Sequence, residues 1–366
     1  MSFCNITLTH THPGENDSVT TQIWLPIQPA WNERLQAVGG GGWIAGLHPF
    51  TDLSMSAAVA EGYATVTMNG GVPSEHPGDW ALLSPGNVNL LGLQNFAFLA
   101  LQDAALAAKS VINSFYGRAP KYSYWSGCSQ GGRQGLVFAQ RYPDVFDGIA
   151  AAAPAINWPK LSLAAHFPQQ IMNEMGEYPH PCELDALTTA AIAACDGHDG
   201  SVDGMISDPD SCHFSPYTLV GTAVNCSTSS TSTTISKAAA IVADAAWTGA
   251  KKADGTFLWY TPGYEANLTS TTSLAGTICS TNGTCVGSDF TLITDWIRLF
   301  IAKDPEFDVM HMSRKDYERA FLKSVLEYES TMGSNSPDLS EFREAGGKMI
   351  TYHGLVRISF HSVTRQ

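Results

Sequence analysis

The stretch Tyr122-Ser123-Tyr124-Trp125-Ser126-Gly127-Cys128-Ser129-Gln130-Gly131-Gly132-Arg133-Gln134-Gly135-Leu136 decides the fold. Tyr122 to Trp125 are β-prone and read as a strand. A helical pattern follows, running to about Arg141. The junction carries Gly-x-Ser-x-Gly at 127–131. A serine hydroxyl is a weak nucleophile at neutral pH and needs an adjacent base. A tight strand-to-helix turn exposes such a serine, and small neighbours let strand and helix approach. Ser129 is therefore the candidate nucleophile. The N–H of Gln130 then faces a substrate carbonyl. A second donor has to come from another loop, and Gly39–Gly42 after a strand is the obvious source, through Gly40 or Gly41. The same Gly-rich motifs would also serve as plain bends. The strand before Ser129 and the helix after it favour the catalytic reading.

Working outward, Ile6–Leu8, Val19–Leu25, Leu35–Val38, Tyr63–Met68 and Ile149–Ala153 read as strands. A helical spacing covers Val88–Tyr116, closed by Gly117 with Pro120 beyond. Strand alternating with helix implies an α/β fold on a mostly parallel sheet. From Ile156 helical patterns and polar loops dominate. Thr222–Thr234 is a Ser/Thr-rich loop. Ser288 or Asp289 is placed to cap a helix reaching Ala302. Ser313 caps the next helix, with Asp316 in a capping-box position. Gly347–Tyr352 reads as a returning core strand. The division expected is a core of residues 1–155 and 346–366, with 156–345 inserted as a lid. No internal repeat is visible.

The chain has 366 residues, 44% of them hydrophobic, which suffices for a large packed core. Its net charge of -14 disfavours nucleic acid and anionic membrane surfaces as partners. No apolar run in the sequence approaches the roughly 20 residues of a bilayer span. Eight cysteines and Asn-x-Ser/Thr sequons at Asn5, Asn16, Asn225, Asn267 and Asn282 point to an oxidising, glycosylating route and a secreted protein. Met1-Ser2-Phe3-Cys4 lacks the features of a leader peptide, so a missing N-terminus is expected. The spacing of Cys195 and Cys212, and of Cys279 and Cys285, suits local disulfides. Cys182 with Cys226 is a further possible pair.

Asp196, Asp199, Asp203 and Asp208 crowd between Cys195 and Cys212, with glycines at 197, 200 and 204. Carboxylates at this density repel unless neutralised. Oxygen donors on a glycine-rich backbone suit Ca2+, at a spacing unlike the EF-hand. The bland alternative is a solvated acidic turn.

The chain resembles the tannase and feruloyl esterase family of fungi and bacteria. The resemblance rests on WLP at 24–26, WNERLQAVGGGGW at 31–43, EGYATV at 61–66, YSYWSGCSQGGRQGL at 122–136 and YPDVFDGIAAAAPAINW at 142–158. It continues through CDGHDGSVDGMISDP at 195–209 and GGKMITYHGL at 346–355. It implies an α/β-hydrolase fold with a large inserted lid, and a carboxylic ester hydrolase acting on small phenolic-acid esters. It implies a structural Ca2+ held by carboxylates of Asp196, Asp199 and Asp203 and carbonyls of Ser201 and Met205. It also implies that Cys128 is bridged to a cysteine following the catalytic histidine. Galloyl and feruloyl esters are not distinguished. Trp158, Phe167, Trp247, Trp259, Tyr260 and Tyr264 are aromatic candidates for a phenol pocket, none assigned a role.

The family pattern His-Gly-x-x-Asp, which carries the acid, meets His353 and Gly354 but then Arg357. No Gly-x-x-His-Cys segment follows, and His361 has no cysteine after it. No catalytic acid or base is identified in the chain. Residues from about Val356 are expected to reflect a frameshift, a retained intron or a faulty gene model, which transcript sequencing would test. The competing expectation is an impaired relative that at most binds phenolic ligands. A calcium-dependent adhesion module would leave the Ser129 context unexplained.

Overall fold

The computed structural model describes residues 1–226, 233–270, 272–280 and 283–354. They form two compact units. The first comprises Met1–Trp158, Lys303–Pro305 and Glu327–His353. The second comprises the described residues of Pro159–Ala302 and Glu306–Leu326, with Gly354.

The first unit is built on a seven-stranded sheet. Its strands are β1 (Ser2–His10), β2 (Val19–Gln28), β3 (Arg34–Val38), β4 (Ala64–Met68), β5 (Tyr122–Cys128), β6 (Gly148–Ala152) and β7 (Lys348–Tyr352). Their spatial order is β1-β2-β4-β3-β5-β6-β7. β1 and β2 pair antiparallel, as do β2 and β4, and every later pairing is parallel. β4 is buried at all five positions, as a strand covered on both faces must be. β1 is an edge strand whose side chains alternate between exposed and half-buried, so its ends were hard to read from hydrophobicity.

Helix α1 (Pro49–Ala60) packs Met55 and Val59 on Trp24 and Val38. Helix α2 (Leu90–Gln94) passes through a π turn, Asn95–Leu99, into α3 (Ala100–Tyr116). Gly117 closes α3 at φ 75°, a left-handed conformation that favours glycine. The stretch Leu90–Tyr116 is long and apolar enough to cross a membrane, contrary to the sequence expectation. Half of its most apolar stretch is buried in the fold, including Leu101, Ala104, Ala108 and Ile112. Helix α4 (Gln130–Arg141) follows β5 directly.

The second unit is mainly helical. Its helices are α5 (Trp158–Met175, whose first residue belongs to the first unit), α6 (Pro181–Cys195), α7 (Lys237–Thr248), α8 (Thr291–Asp295) and most of α9 (Arg314–Met332). Leu184 and Leu187 of α6 pack on Ala239, Val242 and Ala243 of α7. Disulfides Cys195–Cys212 and Cys279–Cys285 form as expected, and Cys182–Cys226 is the third. Ser313 caps α9, with its Oγ accepting the Asp316 N–H at 3.2 Å. The cap of α8 differs from expectation: Phe290 is the N-cap, and Asp289 instead pairs with Arg298 at 2.6 Å.

The division also differs from the expected insertion of 156–345. Residues 303–305 and 327–345 belong with the sheet. The reason is local pairing: Lys303 meets Glu327 at 2.9 Å, and Gln140 on α4 donates to the Ser334 carbonyl at 2.9 Å. The short helix α10 (Ser340–Glu344) then leads into β7.

His166 on α5 is fully enclosed, and burial pushes its imidazole down to about 4. The unfolded chain binds that proton near 6.5, whereas the native state resists it until about 4. Stability supplied by the neutral ring is therefore lost as pH falls through that window. Each pH unit is worth about 1.4 kcal/mol, so the loss reaches about 3 kcal/mol at pH 4. Urea melts at pH 7 and pH 4.5 are expected to show a smaller drop for His166→Gln than for the parent. Equal drops would place the acid sensitivity elsewhere.

Candidate active site

Strand β5 delivers the chain to a turn at Ser129, and α4 starts one residue later. Ser129 has φ 60° and ψ -113°, a conformation that side chains other than glycine rarely adopt. Three backbone bonds hold it there. Its N–H donates to Ala152 O at 3.0 Å, and its carbonyl accepts from Arg133 N at 2.9 Å and Ala155 N at 3.1 Å. A Cβ on Gly127 would sit 2.5 Å from the Gly131 carbonyl, so strand and helix approach only as glycines. Trp125 Nε1 donates to Gly131 O at 2.8 Å and ties the strand beneath to the helix start. Among the described residues, the Ser129 side chain makes no hydrogen bond.

Arg133 lies wholly buried in the first turns of α4. Its Nε donates to Gln130 Oε1 at 2.7 Å and one terminal nitrogen to Ala97 O at 2.9 Å. Burial lowers its guanidinium to about 9, so it remains charged at neutral pH. A fixed positive charge close behind the serine turn favours negative charge developing there.

The Gly39–Gly42 loop abuts this turn. Gly131 N donates to Gly40 O at 3.0 Å. The amides differ from expectation, however. The Gly40 N–H points at Gln134 Oε1 (3.1 Å), and the Gly41 N–H closes a two-residue turn onto Ile44 O (3.0 Å). Both expected oxyanion donors are thus engaged inside the fold. Gln134, brought in by α4, is what turns the Gly40 amide away. Among the described residues, the amides of Gln130 and Gly42 have no intramolecular acceptor.

β7 pairs parallel with β6, and Tyr352 O accepts from Ala153 N at 2.7 Å. His353 therefore leaves the sheet at the carboxyl edge shared with Ser129. Arg357 and His361 lie outside the described residues. Cys128 is exposed at the end of β5. Trp158 is buried edge-on against Trp43 at 5.1 Å, and Trp43 also meets Phe96 at 5.7 Å. Trp158 thus serves as core packing here. Phe167 is likewise buried, beside Tyr317. Trp247 meets Tyr264 at a tilt at 5.0 Å, and Trp259 meets Tyr260 edge-on at 5.5 Å. A cavity of about 510 Å³ opens beside Trp43 and carries the His48–Glu75 pair at 3.1 Å. Ser129 is not in its wall.

The acidic loop occupies the second unit. Asp196 Oδ1 accepts the N–H groups of Asp203 and Gly204, each at 3.0 Å. Asp199 accepts from Ser201 N at 2.9 Å and Ser207 N at 3.0 Å, and these bonds lower its carboxyl pKa. Asp203 Oδ1 accepts from Met205 N at 3.1 Å. Each carboxylate oxygen keeps lone pairs beyond these bonds. The donor set is therefore all oxygen with capacity left, which fits a hard cation in kind. Its apolar support is small: Cys195, Ile206 and Cys212, with Ile192, Phe214 and Tyr264 against them. The sequon residues Asn5, Asn16, Asn225 and Asn267 are exposed, and Asn282 lies outside the described residues.

The family profile described as tannase and feruloyl esterase matches residues 4–362. A probable feruloyl esterase of Arthroderma benhamiae is 40% identical over 366 residues, covering 99% of this chain and 66% of that protein. The structure of a tannin acyl hydrolase from Aspergillus niger superposes with a TM-score of 0.87 at 29% identity, over 98% of this chain and 66% of that one. Feruloyl esterase B from Aspergillus oryzae superposes with a TM-score of 0.76 at 27% identity, over 96% and 66%. The chain thus spans slightly under two thirds of the length of these relatives.

Proposed function

The chain belongs to the tannase and feruloyl esterase family, with an α/β-hydrolase fold, and from that premise we propose that it hydrolyses carboxylic esters of phenolic acids through an acyl-enzyme at Ser129. The observation that carries the reading is the left-handed φ of Ser129 between β5 and α4. Such strain is tolerated where a side chain must be presented. Ser129 Oγ attacks the ester carbonyl, and the alcohol leaves as the tetrahedral intermediate collapses. Water then releases the phenolic acid. Gln130 N–H supplies one oxyanion donor. The second comes from the Gly39–Gly42 loop, where Gly42 carries the amide not already engaged.

A second reading is a fold that binds phenolic esters with little turnover. It is favoured by the Ser129 hydroxyl having no imidazole partner among the described residues. Fluorophosphonate labelling separates the two, because fast phosphonylation needs an activated serine. Labelling of Ser129 together with hydrolysis of methyl ferulate or methyl gallate is expected on the first reading. An unlabelled, folded protein establishes the second.

The acidic loop is proposed to hold a structural Ca2+ through Asp196, Asp199 and Asp203, with the Ser201 and Met205 carbonyls. The ion would supply charge neutralisation to a loop with little apolar core. A ligand present at about 100 times its Kd stabilises by about 2.7 kcal/mol. Chelation with EGTA is expected to lower the melting temperature by about 5 °C, restored by CaCl2. An unchanged melt removes the assignment. The three disulfides and exposed sequons support a secretory route for the protein.

A further inference from the structure

We propose that His10, His12 and Asp103 form a surface site for a borderline divalent transition ion of the Zn2+ class, remote in sequence from both Ser129 and the acidic loop. His10 ends the edge strand β1, and His12 follows two residues later, so the two rings are placed on one side of the chain. Asp103, on α3, faces them from the neighbouring element. One ligand atom from each of the three lies within 4.8 Å of the other two. His12 Nε2 stands 3.0 Å from Asp103 Oδ2, and His10 Nε2 stands 3.5 Å from the same oxygen. Ligands about 2.0–2.1 Å from a tetrahedral ion stand about 3.3 Å from one another. The observed spacings bracket that value, so little rearrangement is needed to admit an ion.

Two features distinguish this cluster from an ordinary surface ion pair. The first is a built outer layer. His12 Nδ1 meets Asp17 Oδ2 at 2.5 Å. Asp17 in turn accepts from Thr11 Oγ1 (2.9 Å), His12 N (2.8 Å) and Asn95 Nδ2 (2.7 Å). Burial opposes ionisation of Asp17, but these bonds outweigh it and hold the carboxyl well below its ordinary range. A carboxylate fixed behind one ring nitrogen sets the tautomer that leaves Nε2 as the ligand, and raises its basicity. The second feature is His10 Nε2. It is buried and makes no hydrogen bond among the described residues, although it points toward Asp103. A buried ring nitrogen without a hydrogen bond is costly, and a metal ion removes that cost.

Charge agrees. Two neutral imidazoles beside two carboxylates leave the cluster at two negative charges, which a divalent ion cancels. The hydrogen bond to Asp17 also raises the basicity of the His12 ring. Two imidazoles and one carboxylate suit Zn2+ over Ca2+ or Mg2+, with water completing the coordination. The His12 and Asp103 side chains are about a quarter and a third exposed, so the site is reached from solvent.

The test is calorimetric titration of the metal-free 366-residue protein with ZnCl2 at pH 7.5, in excess CaCl2 so that the acidic loop does not contribute. One saturable site is expected, unaffected by MgCl2. His10→Gln, His12→Gln and Asp103→Asn are each expected to weaken it at least about tenfold, and Asp17→Asn by about 10- to 100-fold. Co2+ in place of Zn2+ is expected to give the strong visible absorption of a tetrahedral complex, lost in His10→Gln. That variant alters a partly exposed ring that makes no hydrogen bond, so folding is retained and circular dichroism verifies it. Absence of a saturable site, or an isotherm unchanged by His10→Gln, overturns the proposal.

Discussion

Gly40→Ala and Gly127→Ala are each expected to destabilise the first unit by at least about 3 kcal/mol, while Gly41→Ala changes stability by less than about 1 kcal/mol. The three positions look alike in sequence, and the contacts separate them. A Cβ at Gly40 would stand 2.0 Å from Ile44 O and 2.5 Å from Ala45 C, and one at Gly127 would stand 2.5 Å from Gly131 C and O. All of these are backbone atoms, which cannot swing aside as a side chain can. Gly39 is similarly closed, with Gly131 Cα and Trp125 Cζ2 at 2.6 Å. At Gly41 the nearest atom is Phe50 Cζ at 3.5 Å, an ordinary contact. The four-glycine run therefore has two close-packed members, one open member at 41, and Gly42 at φ 58°. Urea melts of the three variants check this. A Gly40→Ala protein as stable as the parent would show that the Ile44–Ala45 backbone can move away from Gly40. The glycines would then serve the site alone.

The strand, turn and helix around Ser129 were legible because each is encoded within fifteen residues. β-prone aromatics, a glycine-flanked serine and a helical run need no distant partner. The same holds for Cys195–Cys212 and Cys279–Cys285, which close short loops. What escaped was encoded at long range or in unusual chemistry. Helix α1 starts with His48, whose Nδ1 accepts from Phe50 N at 3.2 Å, and α6 starts with His180 in the same way. Both precede proline, yet histidine is not among the usual N-caps. The π turns at Asn95–Leu99 and Trp296–Ala302 keep a helical apolar pattern, so sequence merges them with their neighbours. The direction of the Gly40 amide is set by Gln134, 94 residues away. His10-x-His12 is visible in the sequence, but Asp103 joins it only through the packing of α3.

Ser129→Gly is expected to lower ester hydrolysis and fluorophosphonate labelling by at least about 10⁴-fold, and to make the protein more stable by about 1 kcal/mol. Loss of the nucleophile alone accounts for the first effect, and Ser129→Ala should match it. The second effect separates the two variants. Ser129 holds φ 60° and ψ -113° only because Ala152, Arg133 and Ala155 fix its backbone on both sides. Conformations of this kind cost about 1–3 kcal/mol when a Cβ is present. Glycine removes that strain but adds freedom to the unfolded chain, returning about 0.4–1 kcal/mol. Alanine keeps the Cβ and therefore keeps the strain. A folded protein that gains stability when its reactive residue becomes glycine, and not when it becomes alanine, is storing strain to present a hydroxyl. If Ser129→Gly melts no higher than Ser129→Ala, the turn is relaxed, and the case for Ser129 then rests on labelling chemistry and family membership.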